Sequence, residues 1–245
     1  MYPFESVRWA WDAFWELVRA RVDWLPDRLA HSGDVHARWA DPDCVVNHVC
    51  GWPLARWHAD DHRVLGAFSL TIPEADGYRY RSTLLSPHDV ALAELLGGDV
   101  RIVANSADSL SGWISLLHAT VGVNESLPGE ITFTSAHIDS LRALAGAGAD
   151  LACIDSWSLA LITKERPELV SVLHRIALGP WIPSPAVTVR STVPVEDGDR
   201  LAEALVAVLA DDASAAIREA LLVDGFVRLT IDDYRPVLSL RSSAT

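Results

Sequence analysis

Three short apolar runs in the middle of the chain, at residues 100–104, 131–134 and 151–154, are each followed by a polar turn and then an apolar segment with helical spacing. The three helical segments begin near Ser111, cover about 138–144, and begin near Trp157. Strands that alternate with helices at this interval predict βαβ units, in which a parallel sheet is covered on its faces by helices. In such sheets ligands sit outside the carboxyl ends of the strands. The feature therefore constrains both the fold and the place of a site.

The flanking segments complete an α/β pattern. Val7, Trp11, Phe14, Trp15, Val18, Val22 and Leu25 recur at three- and four-residue intervals, which predicts one helix ending before Pro26 with these residues on its core face. The tryptophans there read as packing rather than as a stripe for stacking a ligand. Residues 43–50 form an apolar run closed by Gly51 and Pro53, and 64–72 and 78–85 read as further strands. Beyond Pro180 the chain changes character: Pro183 and Pro185 interrupt it, 187–193 is strand-like, and helices are expected over 201–209 and 213–222. A proline-rich connection of this kind suits a boundary between lobes. Internal repeats and low-complexity stretches are absent from the sequence.

The chain has 245 residues, half of them hydrophobic, enough for one large domain or two small lobes with substantial cores. Its formal net charge of −13, with only 20 Lys and Arg, excludes a nucleic-acid backbone binder, whose affinity comes from clustered cations. Such an acidic chain binds an anion only through local donors such as helix N-termini, hydroxyls and imidazole. Cys44, Cys50 and Cys153 are odd in number and lack metal-ligand spacing, so buried thiols are expected rather than a disulfide framework or a zinc site. No cofactor motif is present, and none is expected to be needed. No apolar run approaches the roughly 20 residues of a membrane helix, so the protein is not expected to be membrane-embedded. The N-terminus lacks the features of a signal peptide, which reads as cytoplasmic, or as periplasmic or extracellular if a leader has been removed.

The polar positions fall at the ends of the three central strands. Asn105 to Trp113 places Ser106, Ser109 and Ser111 between a strand and an apolar helix. Serines there cap the helix, and beside unpaired N–H groups their hydroxyls also suit an anion. The second strand end carries Thr134, Ser135 and His137, the third Asp155 and Ser156. Capping alone accounts for any one serine, and a lone histidine is most often structural. A parallel sheet, however, would bring Ser109, Ser111, Ser135, His137 and Asp155 to one crevice.

These segments carry a resemblance. Tyr80-Arg81-Ser82, the run from Asn105 to Gly112, Ser135-Ala136-His137 and the run from Gly148 to Asp155 resemble the phosphate/phosphite/phosphonate solute-binding proteins of ABC transporters. The Cys50-Gly51-Trp52-Pro53-Leu54 segment is similar to that of a subgroup of the family, and Asp224-Gly225-Phe226 with Asp233-Tyr234 to its C-terminal end. The resemblance covers nearly the whole chain. It implies an α/β, type 2 periplasmic-binding-protein-like fold of two lobes with a hinged cleft: lobe one from 1–84 plus 186–245, lobe two from 85–185, with crossovers near 82–87 and 182–187.

The resemblance also implies a ligand set: Tyr2, Cys50, Gly51, Tyr80, Ser82, Ser109, Ser111, Gly112, His137 and Asp155. In it Ser109 and Ser111 hold anion oxygens, His137 donates to them, and Asp155 accepts from a protonated oxyanion or fixes a neighbouring donor. The family pattern has a strand ahead of the Met-Tyr segment, which here is Met1-Tyr2-Pro3. The implied partners are a small oxyanion and an ABC permease. Because the set holds donors and one acceptor but no activated nucleophile or metal cluster, capture rather than catalysis is the first expectation. A second is a cytoplasmic enzyme on the same fold, resembling the menaquinone-biosynthesis lyases, with His137 and Asp155 as an acid/base pair. A third, resting on the 10 tryptophans, is a partner-binding module with a vestigial cleft.

Overall fold

The structure is a computed structural model that describes residues 2, 4–121, 123 and 127–242. Besides the two-residue strand Ala75–Asp76, its strands, labelled in chain order, are β1 (Val46–Val49), β2 (His62–Leu70), β3 (Arg79–Ser86), β4 (Ile102–Ala104), β5 (Ile131–Phe133), β6 (Leu151–Ile154), β7 (His174–Pro183), β8 (Ala186–Arg190) and β9 (Val223–Val227). The chain divides into two compact units, Met1–Arg79 with Pro183–Arg235, and Tyr80–Ile182 with Pro236–Thr245. The sequence reading drew its boundaries a few residues later and assigned the whole C-terminal segment to the first lobe. The helix Leu238–Ser242 instead packs on the helix Ser115–Thr120 and so belongs to the second unit.

In the first unit the sheet order is β1-β8-β2-β9 and every pairing is antiparallel. The helices Glu5–Arg19, Val195–Ala210 and Ala215–Leu221 pack together and against β2 and β9. Helix Glu5–Arg19 presents Val7, Ala10, Trp11, Phe14, Trp15 and Val18 to the interior. The rings of Trp11, Phe14 and Phe226 each meet Phe68 edge-on at 5.5–5.8 Å, a favoured aromatic geometry. Gly66 marks a bulge in the β2–β8 register: at φ +156° a Cβ there would lie 2.1 Å from the Val227 carbonyl oxygen, so only glycine fits.

In the second unit β6, β4 and β5 are parallel, β3 joins β6 antiparallel, and β7 pairs with β3. Leu84, Leu96, Val100, Ile102, Leu116, Leu151 and Cys153 form its buried core. The parallel sheet expected from the sequence thus extends to three strands only, and the first unit has none.

One further expectation needs correction, and two strands escaped the sequence reading. The first helix ends at Arg19, not before Pro26; Val22 and Leu25 are buried from the turn that follows, so the apolar spacing outlasts the helix. Strand β7 was missed because its exposed, half-buried and buried residues do not alternate and it contains Pro180, which is tolerated where a strand lies at a sheet edge. Strand β9 was missed because Asp224 and Gly225 interrupt its apolar run.

Candidate functional site

The second unit gathers its polar groups where β4 and β6 end. After β4 the chain turns through Asn105 into a π-helical turn, Leu110–Ile114, which runs on into the helix Ser115–Thr120. Ser109 caps it: its Oγ accepts the Gly112 N–H at 3.0 Å, and its carbonyl accepts from Trp113 and Ile114 at 3.1 and 2.9 Å. The five-residue spacing of that last bond widens the turn, a feature often found at functional sites. N–H groups in the first turn, those of Leu110 and Ser111, have no intrahelical acceptor and carry the positive end of the helix dipole. Gly112 is required by contact, since a Cβ there would lie 2.0 Å from Asn105 Oδ1. That Oδ1 is buried and has no hydrogen-bond partner among the described residues.

After β5 the turn is held by Ser135, whose φ of +73° is costly for a residue with a Cβ, and by its N–H donating to the Asn105 carbonyl at 2.9 Å. The turn delivers His137 as first residue of the helix His137–Ala145. His137 Nε2 lies 3.2 Å from Ser111 Oγ, which joins two of the three strand ends. Its Nδ1 is buried with no hydrogen-bond partner among the described residues. Burial lowers the His137 pKa, opposed by the nearby Asp155 carboxylate, so the ring is neutral at pH 7. The neutral ring offers one donor and one acceptor rather than two donors. From β6, the Cys153 thiol donates to the Ser111 carbonyl at 3.2 Å and fixes the π-helical turn from beneath. Burial pushes that thiol up, so it is a packing group and not a nucleophile.

Asp155 caps the helix Ser156–Glu165, accepting from the Ser158 N–H at 2.6 Å. Its other oxygen accepts from the Tyr80 hydroxyl at 2.5 Å, with both residues buried. Tyr80 lies on β3, as does the fully buried Ser82, one residue before the Thr83–Ile154 pair of β3 and β6. Of the two roles implied for Asp155, the geometry favours fixing a donor over meeting the ligand. No His137–Asp155 hydrogen bond forms, so the acid/base pair of the enzyme reading is not assembled.

Tyr2, Cys50 and Gly51 belong to the first unit. Tyr2 is buried at φ +54°, its ring 5.8 Å from that of His48; Met1 and Pro3 lie outside the described residues. Cys50 precedes and Gly51 opens the short helix Gly51–Trp57. Sequence reasoning missed two residues here. His48 sat inside an apolar run and read as strand, yet it is held by a contact of Nε2 with the Pro185 carbonyl at 3.1 Å, and burial drops its pKa well below the usual range. Asn105, which opens a motif already singled out, was passed over because its position against Gly112 has no signature in sequence. Among the described residues no group of His, Cys, Asp and Glu is placed to hold a metal ion, and no helix is long and apolar enough to cross a membrane.

Residues 51–234 match the family described as ABC transporter, phosphonate, periplasmic substrate-binding protein. The chain belongs to that family. A binding protein component of an ABC phosphonate transporter from Pseudomonas aeruginosa superposes with a TM-score of 0.76 at 16% identity, covering 93% of this chain and 80% of that one. PhnD1 from Prochlorococcus marinus, solved with methylphosphonate, gives 0.74 at 11% identity over 93% and 89%. MatC from Rhodopseudomonas palustris, with bound malate, gives 0.58 at 13% identity over 86% and 81%. The comparison with curated proteins gives no match. The fold is therefore the type 2 periplasmic-binding-protein fold, and the chain is a member of the phosphonate substrate-binding family of ABC transporters.

Proposed function

We propose that this chain captures a phosphonate-class oxyanion, the phosphonate, phosphite and phosphate group, and delivers it to an ABC permease. The observation that carries the ligand class is the joining of His137 to Ser111 at 3.2 Å, beside a helix start with spare N–H groups and with His137 Nδ1 lacking a partner among the described residues. Fixed, uncharged donors of this kind suit a tetrahedral oxyanion in a strongly acidic protein. Ser109 retains its own hydroxyl proton while accepting from Gly112, so it can also donate. Tyr80, whose proton is committed to Asp155, offers a ligand only an acceptor. It therefore favours a ligand that keeps one P–OH or carries an ammonium group. Ser82 and Gly112 shape this face. Tyr2, Cys50 and Gly51 are assigned the first unit's ligand contacts. The reading assigns the protein to the periplasm or cell exterior, where a transport receptor meets its solute.

Isothermal titration calorimetry against methylphosphonate, 2-aminoethylphosphonate, phosphite, phosphate and sulfate tests the reading. Micromolar or tighter binding of a phosphorus oxyanion, with sulfate at least tenfold weaker, is expected. Heat from sulfate alone, or none across the panel, would overturn it.

A further inference from the structure

In the first unit the helix Val35–Ala40 has six residues, too few to hold together without tertiary contacts. Asp34 caps its N-terminus, accepting from the His36 and Ala37 N–H groups at 2.9 and 3.4 Å. Its C-terminal end is held by two buried residues of the sheet, His62 at the start of β2 and Arg190 opposite it at the end of β8. Both converge on one atom. The Trp39 carbonyl accepts from His62 Nε2 at 2.9 Å and from Arg190 Nη2 at 2.7 Å, and the same guanidinium nitrogen donates to the Asp41 carbonyl. A cation there suits the negative end of the helix dipole.

Because a carbonyl only accepts, Nε2 carries the proton of the neutral His62 ring, and Nδ1, 2.8 Å from Thr188 Oγ1, accepts from that hydroxyl. A second proton has to enter at Nδ1, where the fully buried Thr188 must turn its own proton away. The surroundings oppose that charge. Arg190 is 6% exposed and pairs with no carboxylate among the described residues, and its Nε has no hydrogen-bond partner among them, so one uncompensated positive charge is already buried there. The half-buried His58, which follows the helix Gly51–Trp57, has its ring 5.6 Å from that of His62 and 6.4 Å from that of Trp39, and the ring of His36 is 4.9 Å from Trp39. Burial lowers the pKa of both His62 and His58; Arg190 and His58 add to the fall of the first, Arg190 and His36 to that of the second. The Trp39 carbonyl opposes this for His62, and Asp61 opposes it for both, but Asp61 is exposed and screened by water. Other charged neighbours are committed elsewhere: the Arg38 and Arg63 guanidinium groups to the Ser32 and Pro194 carbonyls, and the Asp41 carboxylate to the Asp43 N–H. Burial raises the nearby Cys44 thiol, which stays neutral.

We propose that His58, His62 and Arg190 form an acid-released latch on the helix Val35–Ala40: protonation of the two imidazoles beside the fixed guanidinium charge frees the C-terminal end of the helix from the sheet and uncovers Trp39. With the helix released, the imidazoles titrate near pH 6.5, whereas the latched rings are held neutral. The latch is therefore fully closed above that pH and weakens as pH falls below it. Between pH 7.5 and 5.5, one ring that stays neutral while latched favours release about tenfold, and two rings up to about a hundredfold. Every group involved lies in the first unit, and none belongs to the ligand set assigned above.

Amide hydrogen exchange at pH 7.5 and 5.5, followed by NMR and expressed as protection factors, reads the helix directly. The Arg38 and Asp41 N–H groups donate to the Asp34 and Ala37 carbonyls, and their protection should fall by about tenfold or more. At pH 5.5 they should also be protected at least about tenfold less than the amides of the helix Val195–Ala210 in the same unit. His58→Gln with His62→Gln removes both titrating rings and should hold protection at Arg38 and Asp41 to within about threefold between the two pH values. Equal protection of the two helices at pH 5.5 would mean that the short helix leaves only when the whole unit unfolds, and would overturn the proposal. An undiminished loss in the double variant would overturn it too. Should that variant fail to fold, the imidazole ¹⁵N shifts of the unaltered protein decide: His62 should keep its neutral pattern wherever Arg38 and Asp41 remain protected, and a protonated His62 beside protected amides would refute the latch.

Discussion

Tyr80→Phe isolates the hydrogen bond that ties β3 to the end of β6. The ring stays, so no cavity forms, and only the hydroxyl that donates to Asp155 at 2.5 Å is lost. Both residues are buried, at 2% exposure each, so water cannot replace the donor without opening the site. A hydrogen bond to a charged group is worth about 1.5–3 kcal/mol, and Asp155 would keep its contact with the Ser158 N–H. For a chain of this size 1 kcal/mol moves the Tm by roughly 2–4 °C, which gives an expected fall of about 3–12 °C. Urea denaturation followed by circular dichroism measures the loss, and a double-mutant cycle with Asp155→Asn assigns it. Asparagine still caps a helix, so the two substitutions should be non-additive by about 1 kcal/mol or more. A loss below about 0.5 kcal/mol, or strict additivity, would refute the reasoning.

Other consequences follow from the same contacts. Burial lowers the pKa of His48, His62 and His137, so these rings are neutral when folded while their unfolded counterparts take up protons near pH 6.5. Stability should therefore be full above that pH and fall as pH drops below it, by up to about 1.4 kcal/mol per pH unit for each ring, and flat urea midpoints between pH 7.5 and 5.5 would contradict this. Gly112→Ala drives a methyl group into Asn105 Oδ1 and should abolish oxyanion binding while circular dichroism stays native; unchanged binding would remove Gly112 from the site. His137→Ala, read by calorimetry with methylphosphonate, should weaken binding roughly ten- to a hundredfold, the worth of one charge-assisted hydrogen bond.

Much of the second unit was legible because its strands are short, buried and separated by helices with their own caps. Leu151, Ala152, Cys153 and Ile154 are each buried, and Asp155 is both the strand end and the helix cap, so local pattern and tertiary role coincide. The link between Ser111 and His137 was legible only as convergence on one edge, since residues 26 apart in sequence meet through sheet order. What escaped reading depends on contacts with no local signature. The commitment of Asp155 to Tyr80 spans 75 residues, and the burial of β7 follows no alternation that marks a strand. The antiparallel sheet of the first unit escaped for a related reason: β8 reaches β1 and β2 from more than a hundred residues away, and its apolar run fits either direction of pairing.

The most direct test of the central claim is a methylphosphonate titration of the ¹⁵N-labelled protein, observing backbone amides and the His137 imidazole nitrogens by NMR. The account predicts saturable shifts, largest at the Leu110 and Ser111 amides and at His137 Nδ1, lost together in Ser111→Ala with His137→Ala. Saturable binding that leaves these resonances in place would contradict it.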